Sequence, residues 1–185
     1  MTPRWPAPVL GSGRALVEAA RHLVQAGLAD RATLVGVDLV DTFEPGPDPL
    51  PGLELICASV AGWQPAVRFD LITCVHGLHY IGDKLALITR AASWLTPGGR
   101  LIADLDLAAI HLDGRPAGRP IGRRLRQAGF TYNARRHQIT CTGQRNVRLP
   151  YRYLGADDQA GPGYTGQPAV SSHYTETETR GSCLT

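Results

Sequence analysis

Short apolar runs alternate along this chain with segments of helical period, and that alternation restricts the fold more than any other feature. Ala32-Thr33-Leu34-Val35-Gly36-Val37 is closed by Asp38, and Phe69-Asp70-Leu71-Ile72-Thr73-Cys74-Val75 precedes Gly77. Leu53-Glu54-Leu55-Ile56-Cys57 lies between them, and Arg100-Leu101-Ile102-Ala103-Asp104 follows a Thr96-Pro97-Gly98-Gly99 turn. Runs that are nearly apolar throughout suit strands covered on both faces. From Gly13 to about Gly27, Leu16, Ala19, Ala20, Leu23 and Val24 recur at helical steps opposite Glu18, Arg21 and Gln25, which predicts an amphipathic helix. A second helix is expected from about Asp83 to Leu95. Strand, helix and strand in this order predict a doubly wound α/β fold with a mostly parallel sheet.

After Asp106 the texture changes. A short helix around Ile121–Ala128 leads through Gly129 to strand-like pieces at Phe130–Asn133, Gln138–Thr142 and Val147–Leu154, which read as antiparallel strands at the C-terminal edge. The chain has 185 residues, so one domain is expected, over residues 1–170, with residues 171–185 as a polar, disordered tail. Apolar residues are 43% of the chain and charged residues 19%, a balance that excludes global disorder. No run reaches the roughly 18 apolar residues of a membrane helix, and the expected location is the cytoplasm. Cys57, Cys74, Cys141 and Cys183 form no Cys-x-x-Cys pair, so they read as free or buried thiols rather than zinc ligands or disulfides.

Charge is unevenly placed. Residues 113–152 carry 10 arginines and one aspartate, and the lone lysine of the chain is Lys84. Such a block, with Tyr132, Tyr151 and Tyr153 interleaved, can meet a phosphate-rich partner or form a solvated face. Nucleic acid is the weaker reading and an anionic small molecule stays compatible.

Gly11-Ser12-Gly13 stands between the apolar stub Ala7-Pro8-Val9-Leu10 and the first helix. Glycines there admit a ligand to the backbone, and a helix start offers unpaired N–H groups. Asp38, closing its strand, can accept hydrogen bonds from two ribose hydroxyls. With these parts in order, the segment from Val9 to Asp106 resembles the class I S-adenosylmethionine-dependent methyltransferases. Val9-Leu10-Gly11-Ser12-Gly13-Arg14-Ala15-Leu16 is similar to the family's first motif, Val35-Gly36-Val37-Asp38 to the second and Ile56-Cys57-Ala58-Ser59-Val60 to the third. Phe69–Tyr80 and Leu95–Ile102 are similar to the fourth and fifth strands with their loops.

The resemblance implies a Rossmann-like methyltransferase fold with S-adenosyl-L-methionine as cofactor. It implies that Gly11, Ser12 and Gly13 face the cofactor's amino acid and sugar, and that Asp38 holds the ribose. Ser59 and Val60 then flank adenine, and Val75 and His76 line the site. His76 and His79 are the candidates for a general base toward a protonated acceptor. A metal site at Cys74, His76 and His79 is the poorer reading, because no fourth ligand is near. No Asn-Pro-Pro-Tyr tetrapeptide follows the fourth strand, which argues against amino-methylation of DNA; a small-molecule acceptor is expected. Two alternatives stay open. One is a catalytically degenerate cofactor-binding or partner subunit, since Val9-Leu10 runs into Gly11 without the family's usual acid. The other is a nicotinamide-dependent oxidoreductase, against which stand the absent third glycine and the Thr96–Gly99 turn.

Overall fold

The computed structural model describes residues 14–38, 49–75, 77–163, 166 and 169–177. The stub before Gly11, most of the stretch Phe43–Gly52, whose four prolines predict a long loop, and the chain beyond Thr177 lie outside the described residues. Helix α1 (Arg14–Gln25) is followed by strands β1 (Leu34–Asp38), β2 (Leu53–Cys57) and β3 (Phe69–Cys74), helix α2 (Lys84–Ser93) and strand β4 (Leu95–Asp104). Then come β5 (Ile110–Leu112), β6 (Arg115–Pro116), helix α3 (Gly118–Gln127), β7 (Thr131–Asn133), β8 (Gln138–Thr142), β9 (Tyr151–Asp157) and β10 (Ser171–Glu176). Among the described residues no helix is long and apolar enough to cross a membrane.

The expected alternation is present. β1 and β2 are parallel and in register, with Leu34 opposite Leu53 and Asp38 opposite Cys57. One face of this pair meets α1 through Leu16, Ala20, Leu34, Leu53 and Leu55. The other face carries Val35 and Val37 into the main core. β3 and β4 form a second parallel pair, continued by β8 and β7 in antiparallel sense, so antiparallel strands do stand at the edge. The predicted turn at Thr96–Gly99 is absorbed into β4 as an excursion: Leu95 faces Phe69, and the next pairing is Arg100 with Leu71. Thr96 Oγ1 donates to Asp70 Oδ1 across it at 2.8 Å. A Cβ on Gly99 would stand 2.5 Å from the Phe69 carbonyl oxygen, which is why this corner needs glycine.

A second four-stranded sheet, in the order β6-β5-β10-β9, was not expected. It brings one further parallel pairing, β5 with β10, so that over the described residues four pairings are antiparallel and three parallel. The tail expected from residue 171 begins instead inside this sheet: Ser171–Glu176 is β10, paired on both sides, with Ser172 at 0% and Tyr174 at 2% exposure. The segment reads as polar because its buried positions are two serines and a tyrosine, of which the Ser172 and Tyr174 hydroxyls find partners. The last strand expected at Val147–Leu154 runs instead over Tyr151–Asp157. Val147 and Leu149 still pack on the core without joining a ladder.

The second sheet is joined to the first where β3 ends. Val170 N–H donates to the His79 carbonyl at 2.8 Å. The Lys84 ammonium, 1% exposed, donates to the carbonyls of Ile81 at 2.8 Å and Val170 at 2.6 Å and to Ser172 Oγ at 3.1 Å. The Tyr174 hydroxyl accepts from Leu85 N–H at 3.1 Å and donates to Asp83 Oδ1 at 3.0 Å, the same oxygen that caps α2 by accepting from Ala86 N–H.

Two predictions follow from this packing. Burial pulls the Lys84 amine down from 10.5 to about 8, with Asp106 opposing. Between those values the unfolded chain binds more protons than the folded one, so this group makes stability rise with pH across that window. In urea titrations the wild type should gain on Lys84→Met between about pH 8 and 10.5; a constant difference would mean that the amine is not desolvated. Gly99→Ala should cost about 2 kcal/mol or more, read as a lowered midpoint in the same titration, since its new methyl meets backbone rather than a movable side chain.

Candidate functional site

The register of β1 with β2 fixes the first part of the site. Because Asp38 and Cys57 are ladder partners, the residues just beyond them emerge together, and Ala58 N–H donates to the Asp38 carbonyl at 2.8 Å. The Asp38 side chain is half-buried at the strand end, and Ser59 is exposed one residue past that hydrogen bond. A tight turn follows, in which the Ser59 carbonyl accepts from Gly62 and Trp63 N–H groups, both at 3.0 Å. This turn drives Val60 inward: it is 7% exposed and packs in the main core. Its side chain therefore lies under the strand ends rather than on them.

The second part is the end of β3. Val75 is 43% exposed, in contrast to Cys74 before it. Burial pushes the Cys74 thiol up to about 12, against the pull of the Leu78 and Gly77 backbone, so this sulfur is a neutral packing group and not a nucleophile. Cys74 pairs with Ala103, which places Asp104 at the matching end of β4 beside Val75. The next acid, Asp106, is 8% exposed and accepts from Ala108 N–H at 2.9 Å, capping a short turn.

The loop after β3 turns as a 3-10 segment, Gly77–Tyr80. His79 within it is 2% exposed, closed in where its carbonyl meets Val170. That burial takes its ring out of reach of an acceptor arriving from solvent. Sequence reasoning gave His79 no such cover because Val170 is 91 residues away in the chain and adjoins the segment expected as a tail. Gly11, Ser12, Gly13 and His76 lie outside the described residues. The structure thus sets the strand ends that carry Asp38 and lead to Ser59 next to each other, places Val75 at the end of β3, and buries the side chains of Val60 and His79.

Lys84 and Tyr174 were not anticipated. The one available signal for the first was that the chain's lone lysine opens an otherwise apolar helix, Lys84-Leu85-Ala86-Leu87-Ile88.

A half-buried carboxylate beside an exposed hydroxyl, both at the C-terminal ends of in-register parallel strands, is a donor and acceptor set that fits a nucleoside: the carboxylate for two ribose hydroxyls, the hydroxyl for a base edge.

Comparison with known proteins agrees with this reading of the fold. A family profile described as a methyltransferase domain matches residues 11–141. No curated protein matches the chain. Among solved structures, a coclaurine N-methyltransferase bound to N-methylheliamine and S-adenosylhomocysteine is similar with a TM-score of 0.46 and 14% identity, over 55% of this chain and 30% of that one. The plantazolicin methyltransferase BpumL with S-adenosylhomocysteine is similar with a TM-score of 0.46 and 16% identity, over 56% of this chain and 39% of its own. The 16S rRNA methyltransferase KamB is similar with a TM-score of 0.49 and 14% identity, over 79% of this chain and 90% of its own. The chain thus spans 30% and 39% of the first two structures. Since the profile covers well over half of the residues and includes β1 to β4 with the Asp38 and Ser59 ends, the chain belongs to the methyltransferase domain family, which uses S-adenosylmethionine as its cofactor.

Proposed function

We infer that the protein transfers a methyl group from S-adenosylmethionine to a small-molecule acceptor. The observation that carries this reading is the in-register pairing of β1 and β2, which sets Asp38 beside the Ala58-Ser59 turn at one strand end. When bound, S-adenosylmethionine supplies an electrophilic methyl group on its sulfonium sulfur.

The chain's own residues bind, orient and exclude water. Asp38 accepts hydrogen bonds from both ribose hydroxyls, and Ser59 accepts from the adenine amine. Val60 forms the apolar floor beneath the base, and Val75 covers the cofactor from the end of β3. Gly11, Ser12 and Gly13 leave room for backbone approach at the start of α1. An acceptor enters over the ends of β3 and β4, beside the second sheet that meets this loop at Val170. With His79 buried, removal of a proton from the acceptor falls to His76, an imidazole being the side chain type best suited to that task.

Isothermal titration with S-adenosylhomocysteine tests the reading. Saturable binding is expected, weakened roughly 10- to 100-fold in Asp38→Ala, since a carboxylate hydrogen-bonding a buried ligand contributes about 1.5–3 kcal/mol. Binding of NADH in its place, or no binding by a folded sample, would overturn it in favour of an oxidoreductase or a degenerate subunit respectively.

A further inference from the structure

The arginine-rich segment acquires a definite shape in the fold. On α3, Arg119, Arg123 and Arg126 follow at four and three residues and are all exposed, while Ile121 and Leu125 bury the opposite side at 0% exposure. Arg124 is exposed beside them, with Gln127 accepting from its guanidinium at 3.4 Å. Arg148 and Arg152 are exposed around the start of β9. Among the described residues the ion pairs are Arg14 with Glu18 and Asp106 with His137, so no carboxylate stands at ion-pair distance from any of these six arginines.

Between α3 and the β9–β10 edge lies a polar groove of about 470 Å³, with Arg123, Arg124, Gln127 and Tyr151 among its walls and Glu176 at one side. Beyond Tyr151 a second hollow of about 280 Å³ continues toward Asp83, with Arg148 and Tyr153 in its wall. Tyr151 is common to both, half-buried, and stands where the two meet. Burial pushes its phenol up, Glu176 adds to that, and Arg124 and Arg123 pull it down.

We propose that this trough binds a single-stranded nucleic acid, with phosphates on the guanidinium groups of Arg123, Arg124 and Arg148 and a base stacked on Tyr151. Three observations select that occupant. Guanidinium forks match phosphate oxygens in pairs, and among the described residues none of these guanidinium groups is held in an ion pair, although Glu176 and Asp83 stand in the trough's walls. An aromatic ring set between two cationic stretches is the arrangement that holds a base between successive phosphates, and it calls for an unpaired base whose face is exposed. The charge extends along α3 beyond the groove, more than a single small anion would need. Glu176 repels phosphate and so turns the base edge or a 2′-hydroxyl toward itself. This binding is separate from the methyl-transfer reading and uses none of its residues.

Fluorescence anisotropy with labelled oligonucleotides of about 20 residues tests it, with single-stranded RNA, single-stranded DNA, a duplex and heparin as arms. Single strands should bind more tightly than the duplex. Arg123→Gln with Arg124→Gln should weaken them at least about tenfold and reduce the salt slope by about two. Tyr151→Leu should weaken them about fivefold or more while leaving heparin binding as it was, and Tyr151→Phe should keep full affinity. Equal affinity for RNA and DNA supports recognition of phosphate and base alone; preference for RNA that disappears in Glu176→Gln supports a hydroxyl contact as well. The proposal is overturned by no binding of either strand at about 0.1 M salt. It is also overturned by binding confined to heparin, or by a Tyr151→Leu variant that binds single strands as the wild type does. Binding of S-adenosylhomocysteine should be unchanged in the arginine variant; its loss there would place these arginines in the cofactor site and overturn the proposal too.

Discussion

Lys84 holds the two halves of the molecule in one arrangement. An ammonium withdrawn from water is costly unless its three protons meet acceptors, and here they meet exactly as many: two carbonyls and one hydroxyl. One acceptor, Ile81, comes from the loop after β3, while Val170 immediately precedes β10 and Ser172 lies in it. The amine can be satisfied only when the sheet is seated. Tyr174 works in the same direction from two residues further along β10, joining the N-cap of α2 from the other side. Buried polar networks of this sort specify geometry more than they add stability. What they specify here is that β10 closes over His79.

The parallel pairs β1–β2 and β3–β4, which belong to separate sheets, obey a different constraint. Parallel strands need cover on both faces, and a crossover helix usually supplies it. Between β2 and β3 the chain has only residues 58–68, with no helix. Trp63 takes the helix's place, stacking on Phe69 at 6.1 Å and meeting Trp94 edge-on at 5.4 Å. Arg90 of α2 fastens this cover by donating to the Ala61 and Trp63 carbonyls while its guanidinium lies 5.3 Å from the Trp94 ring centre. The cover is incomplete, leaving a hollow of about 400 Å³ beside Val35, Ile56 and Phe69. It is nonetheless enough to keep β1 and β2 in the register that pairs Asp38 with Cys57, and on that register the candidate cofactor site rests.

This division explains what could be read from the sequence. α1, β1 to β3 and α2 were legible because each buries a continuous or periodic apolar set, and the place of Asp38 at a strand end was legible because it closes such a set, whereas Ser59 and Val75 were singled out only by the family resemblance. β5 and β10 were not, being three and six residues long, with β10 burying hydroxyls instead of aliphatic groups. One local signal was present: Asp113-Gly114, both with positive φ, makes the two-residue turn that joins β5 to β6. The burial of Val60 and His79 had no local signal, because it is imposed by a turn and by a sheet assembled from distant segments.

The arginines divide in the same physical way. Arg145 is structural: its guanidinium lies within 2.7 Å of where a Cβ on Gly129 would stand, and its backbone N–H donates to the Ala92 carbonyl. The exposed arginines of α3 have no such work in the fold. Arg124 and Arg126 in the last turn do favour the helix dipole. Arg119 and Arg123, however, are like charges four residues apart, which costs a helix about 0.2–0.5 kcal/mol, and no acid on the helix offsets it. The helix forms because Ile121 and Leu125 are fully buried. A surface on which charges repel one another without aiding the fold is best accounted for by a ligand of opposite sign, and the tyrosine seated between those charges narrows what that ligand is.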